Sequence, residues 1–212
     1  DALTARRTAA ASALAADYLA RKDARNLLIV GTGQLSLAVA AAHCTVRSYT
    51  SVSIWGRSSD KAAAVAEALR TQGLPAQAAR DLEAACRMAD VISTITASTR
   101  PIIRGAWLNP GSHLDLIGAF KGDMRESDDQ AITQADVFVD QRAGASLAGD
   151  LAQPLEAGRI TSEHVRADLA ELCQGAYPGR NDDGARTVFK SAGMALQDLA
   201  AANLARDHAI SG

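Results

Sequence analysis

The spacing of apolar residues changes along this chain, and each change marks a new element. Leu27-Leu28-Ile29-Val30 is a short unbroken apolar run, as expected of a strand covered on both faces. Ahead of it, the alanine-rich stretch from Leu3 to Ala20 puts Leu3, Ala10, Leu14, Tyr18 and Leu19 near one helical face. Val52-Ser53-Ile54-Trp55 predicts a second strand, and Ser59 to Arg70, opened by two serines and an aspartate, predicts a helix. A weak strand at Ala76 to Ala79 and a short helix from Asp81 to Ala89 follow. Val91-Ile92-Ser93-Thr94-Ile95 is dense in β-branched residues and predicts a buried parallel strand. Leu114 to Ile117 and Val137 to Val139 predict two more, with a polar helical stretch around Asp128 to Ala135 between them.

Beyond Asp140 the pattern predicts loops at Gly144, Gly149, Pro154 and Gly158, a helix from Ser162 to Leu172, and turns from Gly175 to Gly184. In Ala185 to Asp207, residues Val188, Phe189, Ala192, Leu196, Leu199 and Leu204 recur at helical spacing, which predicts a last helix with an apolar face. Strands alternating with helices imply right-handed crossovers. The expected fold is therefore α/β: a doubly wound parallel sheet of Rossmann type over residues 1–184, then a C-terminal helix over 185–212.

Between the first strand and the helical run Leu37-Ala38-Val39-Ala40 lies Gly31-Thr32-Gly33-Gln34-Leu35-Ser36, a glycine-rich turn of the kind that binds a dinucleotide pyrophosphate. Gly31 permits the tight turn, Gly33 lets the backbone approach the phosphates, and Ser36 replaces the usual third glycine. NAD-binding chains commonly end the second strand in a carboxylate that holds the ribose hydroxyls. Here that place holds Arg57, Ser58 and Ser59, which suit a 2′-phosphate, so NADP(H) is the expected cofactor and NAD(H) the alternative.

The 212 residues, 48% hydrophobic and 22% charged, are enough for one full core. A net charge of −2 with 4% aromatic residues argues against a nucleic-acid partner. No stretch reaches the ~20 apolar residues of a membrane span, and Asp1 to Arg7 lacks a signal-peptide layout, so a cytoplasmic protein is expected. Cys44, Cys86 and Cys173 are expected to be reduced thiols, and the four histidines have no metal-ligand spacing.

At Leu3-Thr4-Ala5-Arg6-Arg7-Thr8-Ala9-Ala10-Ala11 and His113-Leu114-Asp115-Leu116-Ile117-Gly118-Ala119-Phe120, with Met124-Arg125-Glu126 following, the chain resembles the ornithine cyclodeaminase/mu-crystallin family. The likeness continues through Phe138-Val139-Asp140, Ala148-Gly149-Asp150-Leu151, Phe189-Lys190-Ser191 with Gly193, and Leu196-Gln197-Asp198-Leu199. It implies a preceding N-terminal domain that dimerises, helps bind substrate and carries an acid/base lysine, with the last helix packing on it; the full-length protein would be a homodimer. By the same likeness Arg7 would hold the substrate carboxylate, Thr94, Thr96, Ala97 and Ser98 would face the nicotinamide, and Lys190, Ser191 and Gly193 would pass close to the cofactor.

Family members that cyclodeaminate ornithine carry an acid/base aspartate where Phe120 stands. A phenyl ring transfers no proton. The Gly-Ala-Phe form therefore resembles the ketimine reductases, with Phe120 as a pocket wall and a small cyclic imino acid or its amino acid as substrate. Ornithine cyclodeamination, and a non-catalytic NADP-binding protein of the mu-crystallin kind, are the alternatives.

Overall fold

The structure is a computed structural model that describes residues 2–211. The chain enters as a long helix, α1 (Ala2–Leu19), and then alternates: β1 (Asn26–Val30), α2 (Leu35–Val46), β2 (Ser51–Trp55), α3 (Ser59–Thr71) and β3 (Ala76–Ala78). It continues with α4 (Leu82–Met88), β4 (Val91–Thr94), β5 (His113–Leu116), α5 (Asp129–Thr133) and β6 (Asp136–Val139). After α6 (Arg142–Ala145) and α7 (Gly149–Glu156) come β7 (Val165–Asp168), α8 (Leu169–Cys173), β8 (Thr187–Lys190) and α9 (Ala195–Ser211).

Among the described residues the sheet has 8 strands in the order β3-β2-β1-β4-β5-β8-β6-β7, and every pair is parallel. Successive side chains of a strand face opposite sides, so each strand serves two cores. Leu27, Ile29, Val52, Ile54 and Val91 meet the alanines of α1, α2 and α3 on one face. Leu28, Val30, Ile92, Leu114, Leu116 and Val188 meet Cys86, Ile132 and Leu151 on the other. No helix among the described residues is long and apolar enough to cross a membrane.

Four expectations need correction. The predicted helix over Ser162 to Leu172 is a strand, β7, followed by α8, because Asp168 starts a new helix there. Its carboxylate accepts the Glu171 N–H while the Glu171 side chain accepts the Asp168 N–H, a reciprocal cap. The predicted helix from Ala185 is likewise divided: Thr187–Lys190 is a strand between β5 and β6, so the sheet extends past residue 184, and α9 starts only at Ala195. Thr187, Val188 and Phe189 suit a pleated position buried on both faces, and Gly193 turns the chain with φ +83°. Third, the stretch after Asp140 read as loops contains α6 and α7. Fourth, α1 buries Ala9, Ser12, Ala13 and Ala16 and leaves Leu3 and Leu14 37% and 39% exposed, because small side chains allow the helix to approach the sheet closely.

A polar layer lies beneath α1. Ser12 Oγ and Ser93 Oγ both donate to Asp115 Oδ2, the latter at 2.7 Å. His43 Nε2 is 2.8 Å from Ser12 Oγ, whose proton is already given to Asp115, so the imidazole is the donor. Burial pushes the Asp115 carboxyl up, but His43, whose Nε2 is also 3.5 Å from Asp115 Oδ2, and the Ser12 hydroxyl outweigh it and hold the pKa below the ordinary value. His113, fully buried two residues earlier on the same strand, has its pKa pushed down to about 3 by burial. Its Nδ1 is 2.9 Å from Thr187 Oγ1.

Candidate functional site

The crevice opens at the C-terminal ends of β1, β2 and β4, where the chain has run outward on one side of β1 through β2 and β3 and then crosses to β4 on the other. This is the topological switch point at which open parallel sheets bind ligands. Gly31 leaves β1 with φ +132°, and its N–H donates to Trp55 O at 2.8 Å. A Cβ there would stand 2.7 Å from Ile95 O. Gly56 is tight as well, since a Cβ would meet Thr32 Cγ2 at 2.5 Å. Gly33 is the opposite case, with nothing within 4 Å of an added Cβ, so its small size serves the open space rather than the protein's own packing. Ser36 Oγ donates to Gly31 O at 3.0 Å and thereby ties the turn to α2. No side chain caps the N-terminus of α2, which leaves backbone N–H groups for an anion.

The resulting cavity of about 620 Å³ brings together Gly31, Thr32, Gly33, Arg57, Ser58, Thr96, Ala97 and Ser98, all predicted from the sequence. Ser58 Oγ accepts the Lys61 N–H at 3.3 Å as the cap of α3, so the hydroxyl proton remains free to donate into the crevice. Lys61 and Arg100 also line the cavity and were not anticipated. A signal for Lys61 existed: it sits in the first turn of α3, where the helix dipole disfavours a cation unless an anion is to be held.

Other predicted residues lie elsewhere. Gln34 and Leu35 begin α2 outside the lining, and Ser59 is exposed, its Oγ 3.4 Å from Asp60 Oδ1. Thr94 is fully buried and donates to Glu126 Oε2 at 2.8 Å, so its side chain points into the protein, not toward a cofactor. Lys190 is turned inward too. A buried ammonium must be paired, and Lys190 Nζ lies 3.2 Å from Asp150 Oδ2 and donates to Leu116 O at 3.1 Å. Ser191 Oγ and the Ala192 and Gly193 N–H groups all donate to Asp140 Oδ2, which fixes the turn into α9.

Arg7 lies at that turn. Its Nε is 2.8 Å from Asp198 Oδ1, an ion pair without hydrogen-bond alignment, and its Nη1 donates to Gln197 Oε1 at 3.2 Å. Gly193 is favoured there by its φ of +83°, and an added Cβ would also sit 2.9 Å from Arg7 Nη1, pushing the end of that side chain aside. Phe120, in the loop after β5, is 55% exposed with Lys121 Nζ 5.7 Å from its ring, and it does not line this cavity. Sequence reasoning overlooked the roles of Glu126 and Asp150, both fully buried behind the crevice. Their surroundings come from distant loops, so spacing carried no hint of them.

The model of the ornithine cyclodeaminase/mu-crystallin family matches residues 1–212. The chain belongs to this family. A Delta(1)-pyrroline-2-carboxylate reductase of Paracoccus denitrificans is 42% identical over 195 residues, covering 91% of this chain and 62% of that protein. The ketimine reductase mu-crystallin of Rattus norvegicus is 34% identical, covering 99% and 64%. Among solved structures, the Thermococcus litoralis Delta(1)-pyrroline-2-carboxylate reductase in complex with NADH and L-proline superimposes with a TM-score of 0.96 at 30% identity, over 100% of this chain and 66% of that one. The chain thus spans less than two thirds of the length of each of these relatives.

Proposed function

We propose that these residues are the nucleotide-binding part of an NADP(H)-dependent reductase of small cyclic imino acids of the pyrroline- or piperideine-2-carboxylate kind. The observation that carries the cofactor choice is the end of β2: Arg57, Ser58 and Lys61 line the cavity there and, among the described residues, no acidic residue does. Two cations and a free hydroxyl at the start of α3 suit a 2′-phosphate, and a carboxylate that would repel it is missing from the lining. Gly31, Gly33 and the uncapped start of α2 fit a pyrophosphate.

Bound here, a reduced nicotinamide supplies a hydride for a C=N bond. The protein's part is to hold, orient and keep dry. In this reading Arg7 exchanges its contacts with Asp198 and Gln197 for a substrate carboxylate, which a guanidinium fork matches. Thr96 to Ser98 form the wall at the end of β4; Phe120, exposed here, would become an apolar pocket wall only when covered by the family's N-terminal domain, and it moves no proton. Leu196, Leu199 and Leu204 of α9 are 60%, 56% and 62% exposed, as suits a helix meant to pack on the family's N-terminal domain. With that domain we expect a homodimer, and the 212 residues alone should bind cofactor without turning over substrate.

Calorimetric titration should give NADPH roughly tenfold or more over NADH, equivalent to about 1.5–3 kcal/mol for a charge-assisted contact. Arg57→Ala should erase most of that preference and leave NADH binding nearly unchanged. Equal or tighter NADH binding by the unaltered chain overturns the cofactor choice. For the activity, the complete gene product should oxidise NADPH with a cyclic ketimine faster than it releases ammonia from ornithine. The reverse order would make it a cyclodeaminase, and cofactor binding with neither reaction would make it a binding protein.

A further inference from the structure

Glu126 is fully buried behind the crevice, and none of the roles assigned above uses it. Its Oε1 accepts the Thr96 N–H at 2.6 Å and the Thr96 hydroxyl at 2.8 Å. Its Oε2 accepts the Thr94 hydroxyl at 2.8 Å, the Gly118 N–H at 2.8 Å and the Ala119 N–H at 3.3 Å. One carboxylate therefore ties the loop after β4, which lines the cavity, to the loop after β5, which carries Phe120. The two loops are pressed together at this point: a Cβ on Gly118 would stand 2.0 Å from Thr96 O.

The carboxylate is itself held from behind. The Glu126 and Ser127 N–H groups both donate to Asp150 Oδ1 at 2.9 Å, and Asp150 pairs with Lys190 at the end of β8. Burial raises the Glu126 pKa, opposed by the Lys190 charge and the bonds from Thr96. The Thr96, Gly118 and Ala119 donors are backbone N–H groups, which cannot turn round to accept. Only a group that accepts on both oxygens satisfies both loops.

We propose that Glu126 is a positioning residue that sets the two loops framing the nicotinamide half of the cofactor, and so governs that half while leaving the adenosine half alone. The inference rests on the dinucleotide reading given above. It predicts a difference between two ligands measured on the same 212-residue chain: NADPH, and ADP-ribose 2′-phosphate, which lacks the nicotinamide.

In Glu126→Gln one oxygen becomes an NH₂ that must face a backbone donor, so one loop loses its tether. NADPH affinity should fall about tenfold while affinity for the fragment changes less than about twofold. Thr94→Val, which deletes a single hydroxyl donor at almost constant volume, should shift the same ratio in the same direction by a smaller factor. Should Glu126→Gln fail to fold, as seen by circular dichroism, Thr94→Val decides the matter by the same ratio. Equal weakening of both ligands in a folded variant marks a general structural role and overturns the proposal, as does no weakening of either. If the unaltered chain binds neither ligand, the dinucleotide reading falls first and this one with it.

Discussion

Gly33→Ala should leave the folded chain as stable as before and weaken dinucleotide binding about a hundredfold, whereas Gly31→Ala should lose stability and binding together. The contrast follows from what surrounds each position. An added methyl at Gly33 meets nothing within 4 Å, so the protein has no reason to resist it. The space it enters is where phosphates would approach the backbone, and a displaced phosphate forfeits several short N–H contacts at once. At Gly31 the methyl meets Ile95 O at 2.7 Å, and φ is +132°, which L side chains rarely adopt. Thermal melts beside calorimetric titrations separate the two effects. Unaltered affinity in Gly33→Ala would remove the pyrophosphate from this turn.

The second large effect is on acid stability. His113 has its pKa pushed down to about 3 in the folded chain and returns to its ordinary 6.5 on unfolding. Its neutral form is favoured by folding, so this contribution is fully present above pH 6.5 and is lost as the pH falls from 6.5 towards about 3. The slope is about 1.4 kcal/mol for each pH unit in that window, or about 2 kcal/mol by pH ~5, before most carboxylates titrate. Asp115, held below its ordinary value, adds a further loss at lower pH, since its stabilisation is present above 3.8 and disappears as the pH drops through its folded value. His113→Asn keeps a polar atom near Thr187 and removes the titration. Urea midpoints at three pH values between 7.5 and 5 should fall steeply for the parent chain and much less for the variant; parallel curves would show that His113 is not the responsible group.

How much of this could be read from residue order depends on distance along the chain. The turn at Gly31 to Ser36 was readable because strand, turn and helix are contiguous and each glycine answers a local steric demand. The start of α3, with Arg57 and Ser58, was readable for the same reason. The inward turn of Lys190 is not legible in the sequence, because its partner Asp150 is forty positions away and nothing nearby announces a buried ion pair. Thr94 sits on a strand in which side chains alternate, and its inward direction was decided by Glu126, a residue of a different loop. Val188 and Phe189 fit helical spacing as well as strand spacing. What decided between them was the gap between β5 and β6, which only the assembled sheet reveals.

That gap has a consequence for how the molecule is made. β8 joins β5 on one edge and β6 on the other, yet it emerges after every other strand. As the chain leaves the ribosome, β1 to β5 can pair among themselves and β6 can pair with β7, but the two groups share no backbone ladder. Until Thr187–Lys190 arrives, β5 and β6 each present an unpaired edge, the kind of surface on which nascent chains associate wrongly. The closing strand also brings Lys190, the counter-charge for Asp150, so the carboxylate that holds the Glu126 and Ser127 N–H groups stays unpaired until the same late event.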